Sequence, residues 1–118
     1  MGISAVTIAD CTLNGSVAIT KDAFDTTEGH EIDVSDYKSE KLVVLIETTN
    51  TESADFDIKA GVGAQSVIGD LTVTRAAEGI VALDLETARF KNADGKILID
   101  ITTGSTPVTG NIMAIAKS

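Results

Sequence analysis

Aromatic and sulfur-bearing side chains are scarce in this chain of 118 residues: no Trp, one Tyr, three Phe, two Met and one Cys. A core must therefore be assembled from Val, Ile, Leu and Ala, each burying less apolar area than an aromatic ring. With Cys11 alone, no internal disulfide can form, and maturation in a reducing compartment is expected. One histidine, His30, cannot supply the several His or Cys ligands that transition-metal sites use. Basic residues are also few, nine against eighteen acidic, for a formal charge of −9. They are spread singly, so no basic patch exists to attract a phosphate backbone, and nucleic acid is not an expected partner. The longest apolar run, Leu42 to Ile46, is too short to span a membrane. The first basic residue is Lys21, and no apolar run near the start has signal-peptide length.

The 43 % hydrophobic content is that of a globular chain, and the length suits one core and one domain over residues 1–118. The charge is uneven: residues 22–57 hold eleven acidic side chains against Lys38 and Lys41, which predicts a solvent-facing, repulsive surface there. Period-two alternation, the mark of a strand with one buried face, recurs along the chain. It appears at Ser16–Thr20, Glu31–Val34, Ala54–Lys59 and Asp70–Thr74, and a last strand is expected at Asn111–Ala116. Leu42–Ile46 reads as a central strand covered on both faces. Residues 1–15 read either as a first strand (Ala5 to Ala9) or as a flexible N-terminal arm that orders on a partner.

The most legible stretch is Gly79 to Asp100. Val81, Leu83 and Leu85 alternate with Ala82, Asp84 and Glu86; after Asn92-Ala93-Asp94-Gly95, Ile97, Ile99 and Ile101 alternate with Leu98 and Asp100. Asn, Asp and Gly are turn formers, so the stretch predicts a β-hairpin with a bend near Thr87 or Ala88. A helix over Val81–Lys91 is the competing reading, because these residues are good helix formers. The sum is an all-β protein, an antiparallel β-sandwich or jelly roll of seven to nine short strands.

No catalytic or cofactor-binding constellation emerges. His30 lies among Glu28, Glu31 and Asp33, which is a solvated acidic loop more readily than a metal site. Asp22, Asp25 and Glu28, or Asp33 and Asp36, lack the spacing of a calcium loop. Cys11 has no basic neighbour in sequence to activate it. Gly61-Val62-Gly63 lacks the Lys and following helix of a phosphate loop. The most specific cluster is Glu86, Arg89 and Phe90. There, Phe90 filling the core with Arg89 on a carboxylate competes with Arg89 at a subunit contact.

Several short motifs occur in order: Gly61-Val62-Gly63-Ala64-Gln65, Gly69-Asp70-Leu71, Leu85-Glu86-Thr87-Ala88-Arg89-Phe90, Asp94-Gly95-Lys96-Ile97 and Gly110-Asn111-Ile112-Met113-Ala114-Ile115. Across residues 54–116 this order resembles the capsid decoration, or cement, proteins of tailed bacteriophages and prophages. The resemblance implies a non-enzymatic virion protein, made in the bacterial cytoplasm, that binds the major capsid protein. It would sit as a homotrimer at threefold or quasi-threefold points on the outer capsid surface, with no cofactor, nucleic acid or membrane. Candidate subunit or capsid contacts are Arg89, Glu86, Val62, Gln65, Ile3 and Val6.

The shell-facing surface is expected to be the less acidic one. That points to the arm (Met1 to Asn14) and to loop tips such as 60–68 or 102–109, and deletion of residues 2–12 is expected to abolish shell binding yet leave a folded domain. Two rival functions carry their own signatures. A carbohydrate-binding or adhesion module needs exposed aromatic platforms, and a self-assembling surface subunit forms filaments or sheets without a shell.

Overall fold

The computed structural model describes residues 3–11, 15–35, 42–62, 68–85 and 87–117. Ten strands form two mixed five-stranded sheets packed as a sandwich. In chain order they are β1 (Ser4–Ala5), β2 (Ile8–Cys11), β3 (Asp22–Ala23), β4 (His30–Asp33) and β5 (Leu42–Thr48). They continue with β6 (Ala54–Ile58), β7 (Leu71–Arg75), β8 (Gly79–Leu85), β9 (Lys96–Thr103) and β10 (Gly110–Lys117). One sheet has the order β1-β4-β9-β6-β7; the other runs β2-β10-β5-β8, with β3 also on β10. We call them the first and second sheets.

Alternation builds the core. Ile32, Phe56, Ile58, Ile97 and Ile99 of the first sheet face Leu42, Val44, Ile46, Leu85 and Ile112 of the second, all essentially inaccessible to solvent. The rings of Phe24 and Phe56 meet at 5.2 Å, tilted by 55°. Burial of these aliphatic side chains stabilises the sandwich by about 25 cal/mol per Å² of apolar area removed from water.

Several expectations are corrected. The sandwich is mixed rather than wholly antiparallel, because β1 runs parallel to β4 and β2 parallel to β10. The N-terminal stretch adds a short edge to each sheet in turn, and Val6, 5 % exposed, drops into the core between them. Among the described residues the strands already number ten rather than seven to nine.

The predicted hairpin does not form. β8 pairs with β5, whereas β9 lies between β4 and β6 in the other sheet. Both competing readings of this stretch hold a part: strand to Leu85, then a single helical turn, α1 (Thr87–Phe90). That turn, anchored by buried Phe90, carries the chain from one sheet to the other. The Asn92–Gly95 turn exists as read. The Asn92 side chain accepts from the N–H groups of Asp94 and Lys96, and Gly95 takes φ +78°. It directs the chain into β9 rather than back onto β8.

Two smaller differences follow from the same packing. Leu42–Ile46 is a central strand, hydrogen-bonded on both sides, but its burial alternates, leaving Val43 and Leu45 half-buried on the outer face. The alternation at Ser16–Thr20 forms no strand; this exposed segment returns the chain from β2 to β3. In sequence, Asp36-Tyr37 after the alternating Glu31–Val34 leads into a turn, which lies outside the described residues.

Candidate interaction surfaces

The two sheets show solvent unlike faces. On the first sheet, alternation turns Glu31, Asp33, Asp55, Asp57 and Asp100 outward. Asp57 stands directly across from Asp100, an unfavourable like-charge pair. Neighbouring groups temper this charge. Thr74 and Thr72 hydroxyls donate to Asp55 and Asp57 at 2.6 Å, each from its register partner on β7. The Lys96 ammonium is 2.7 Å from Glu31, and the pairing holds the Lys96 pKa above its ordinary value.

On the second sheet the outward positions are largely apolar: Ile80 and Ala82 on β8 are exposed, Val43 and Leu45 on β5 and Ile115 on β10 half-buried, and Ala9 on β2 and Met113 on β10 already buried within the chain. Ile80 is 61 % exposed. Glu47 and Asp84 are the carboxylates on this face among the described residues. Glu47 accepts from Asn111 at 3.1 Å and pairs with Lys21 at 3.1 Å, which lowers its pKa. The second sheet therefore offers a low-charge face in a strongly acidic molecule.

The predicted contact residues fall in different places. Arg89 is half-buried and occupied within its own chain: Nε and Nη2 donate to the carbonyls of Gly69 and Asp70 at 3.0 and 3.2 Å. Its guanidinium also lies 4.7 Å over the Phe90 ring, a cation–π contact. The core reading of this cluster holds for Phe90, with backbone carbonyls in place of the expected carboxylate. Val62 (69 %) and Ile3 (41 %) are exposed, whereas Val6 is a core residue whose side chain is not free for a partner. Glu86 and Gln65 lie outside the described residues.

The arrangement around Val62 explains its exposure. Gly61 and Val62 donate to the carbonyls of Arg89 and Lys91. A Cβ at Gly61 would overlap the Lys91 carbonyl, so glycine is needed for this close approach.

His30 and the acidic loop have structural occupations that sequence spacing did not reveal. His30 is 1 % exposed, and its Nε2 accepts from the Asp25 N–H at 2.9 Å. Burial lowers its pKa, opposed by Asp25 and Asp22. The Asp25 carboxylate accepts from Ser4 Oγ and the N–H groups of Thr27 and Glu28, which lowers its own pKa. Asp33 caps Ser35 in the same manner. Cys11 is half-buried on the second sheet, away from His30 on the first. Among the described residues no group of three or more His, Cys, Asp or Glu side chains could hold a metal ion. A 270 Å³ depression lined by Ser53, Ala54, Asp55 and residues 102–104 offers hydroxyls and a carboxylate but no imidazole or thiol.

Comparison with protein-family models, with curated proteins and with solved structures found no match.

Proposed function

We propose that this chain is a non-enzymatic structural protein that decorates and stabilises the outside of a tailed-phage capsid, bound to the major capsid protein. The observation that carries this reading is the contrast between the two sheet faces. A shell-bound module needs one surface of low charge to seat and another that stays solvated. The apolar outer face of the second sheet meets the first need, and the carboxylate-rich first sheet meets the second. Val62 and Ile3 add exposed apolar groups outside that face. Seating many copies at threefold or quasi-threefold points, as trimers, would reinforce the shell collectively, because each site engages several subunits at once.

Among the described residues, the aromatic side chains lend no support to a carbohydrate-binding or adhesion role. Phe56 and Phe90 are buried in the core, and Phe24 packs on Phe56. The test is co-sedimentation of the purified protein with expanded, undecorated capsids from a phage or prophage of the same source. The expected result is saturable binding near the number of threefold sites with a gain in the shell's heat resistance. No binding at micromolar protein would overturn the proposal.

A further inference from the structure

The β1 edge of the first sheet is fastened through one buried imidazole. His30 opens β4 at 1 % exposure, with Ser4 of β1 and Ile99 of β9 as its register partners. Its Nε2 accepts the Asp25 N–H at 2.9 Å, a role that only the neutral ring can fill. The proton of that ring then sits on Nδ1, which is buried without a hydrogen bond. Asp25 in turn holds β1. Its carboxylate accepts from Ser4 Oγ at 2.7 Å and from the N–H groups of Thr27 and Glu28. Its carbonyl accepts the Gly29 N–H, and the Gly29 carbonyl accepts the Ser4 N–H. Residues 24–29 thus form a clasp that links the imidazole to β1.

We propose that His30 is an acid-sensitive latch: protonation of its ring opens the Asp25 clasp and releases β1 from β4 while the two sheets stay folded. A proton on Nε2 sets a second donor against the Asp25 N–H, so that bond is lost. The Asp25 carboxylate is the anion of the clasp that can receive the new N–H. Turning it to the ring takes it from Ser4 Oγ and from the Thr27 and Glu28 amides.

The charged groups around the ring do not remove this sensitivity. Burial disfavours the imidazolium, and it prevails over the Ser4 backbone and the Asp25 and Asp22 carboxylates, which favour it. On β9 the Asp100 carboxylate lies beside Gly29, and on β4 the outward Glu31 is engaged by Lys96. The opening is local because β1 is slight. It has two residues and one neighbouring strand, whereas β2 is held by four register pairs to β10 in the other sheet. Short edges with few contacts open well below the free energy of global unfolding. Val6, buried between the two edges, sets the cost of opening. The latch is a property of the free protein and stands apart from the capsid proposal.

Amide hydrogen exchange by NMR at about pH 7.5 and 5.5, with each rate divided by the intrinsic rate of an unstructured chain at that pH, tests the latch. At one unit below the ring's ordinary 6.5, protonation favours the open clasp by up to about tenfold. Protection of the Ser4, Val6, Asp25 and Gly29 amides is expected to fall by up to that factor, while amides of β5 and β10 keep theirs. Asp25 itself stays ionised at that pH, since its hydrogen bonds hold its pKa below the ordinary 3.8. His30→Gln, which can accept the Asp25 N–H but does not titrate, is expected to abolish the pH difference. Should that variant not fold, the wild-type comparison decides alone. Equal protection at the two pH values would overturn the proposal, as would a parallel loss at β5 and β10 or a pH effect that survives in folded His30→Gln.

Discussion

His30 shows how a single side chain couples burial to stability. Its Nε2 accepts a backbone N–H, so a protonated ring would place a second N–H against the Asp25 donor. Burial lowers the folded-state pKa below the ordinary 6.5, against the pull of Asp25 and Asp22. The unfolded chain therefore binds the proton first. Stability should be fully present above about pH 6.5 and fall as pH drops below it. The depressed carboxylates Asp25, Asp33, Glu47 and Asp70 act in the same direction in a separate, lower window, near and below their ordinary 3.8 to 4.5. Urea titrations between pH 8 and 5 should show this loss in the wild type. His30→Gln, which can still accept through its amide oxygen, should flatten the slope. An unchanged slope in that variant would refute the assignment. At Gly61, Ala substitution drives a Cβ into the Lys91 carbonyl and is expected to lower stability by about 1–3 kcal/mol, read from the urea midpoint.

Among the elements, the N-terminal strands changed most between sequence and structure. The stretch that could have been a detachable arm instead spans both sheets. The Ser4 and Val6 amides donate to the Gly29 and Glu31 carbonyls, and Ser4 Oγ donates to Asp25. Val6→Ala removes two buried methyl groups and is expected to cost about 2 kcal/mol by differential scanning calorimetry or urea unfolding. Deletion of residues 2–12, expected from sequence to leave a folded domain, should instead lower stability by more than that single substitution. A truncated protein with the wild-type midpoint would show that β1 and β2 contribute nothing. Alternation exposed neither β1 nor the parallel pairing, because two-residue edges carry no measurable period. The hairpin reading at Gly79–Asp100 failed for a related reason: alternation identifies a strand but not its partner. The choice between β5 and β9 as neighbour of β8 is made by the helical turn and by Phe90 in the core.

For the molecule as a whole, the −9 charge sits against a marginal-sized core without tryptophan. Repulsion such as that between Asp57 and Asp100 opposes folding at low ionic strength and is screened once the Debye length falls below about 10 Å. Thermal unfolding should therefore shift to higher temperature between low and moderate NaCl. A Tm that falls with added salt would mean that the ion pairs of Lys21, Lys59 and Lys96 outweigh the repulsion. Salt should also strengthen any association of copies, since like-charged molecules approach more readily when screened.

What the sequence determined by itself is the class and most of the strands. Short alternating segments bounded by turn residues located β4 to β10, because period two is a local property of an amphipathic strand. Its acidity was equally plain. Only the tertiary structure decided which strands are neighbours, that the N-terminal stretch divides between the sheets, and that the acidic and apolar outward residues segregate onto opposite faces. It also decided that Arg89 is held by the Gly69 and Asp70 carbonyls. The physical reason is that these are long-range choices. They depend on how nonpolar faces fit across some 10 Å of core between packed sheets, and no short window of residues carries that information.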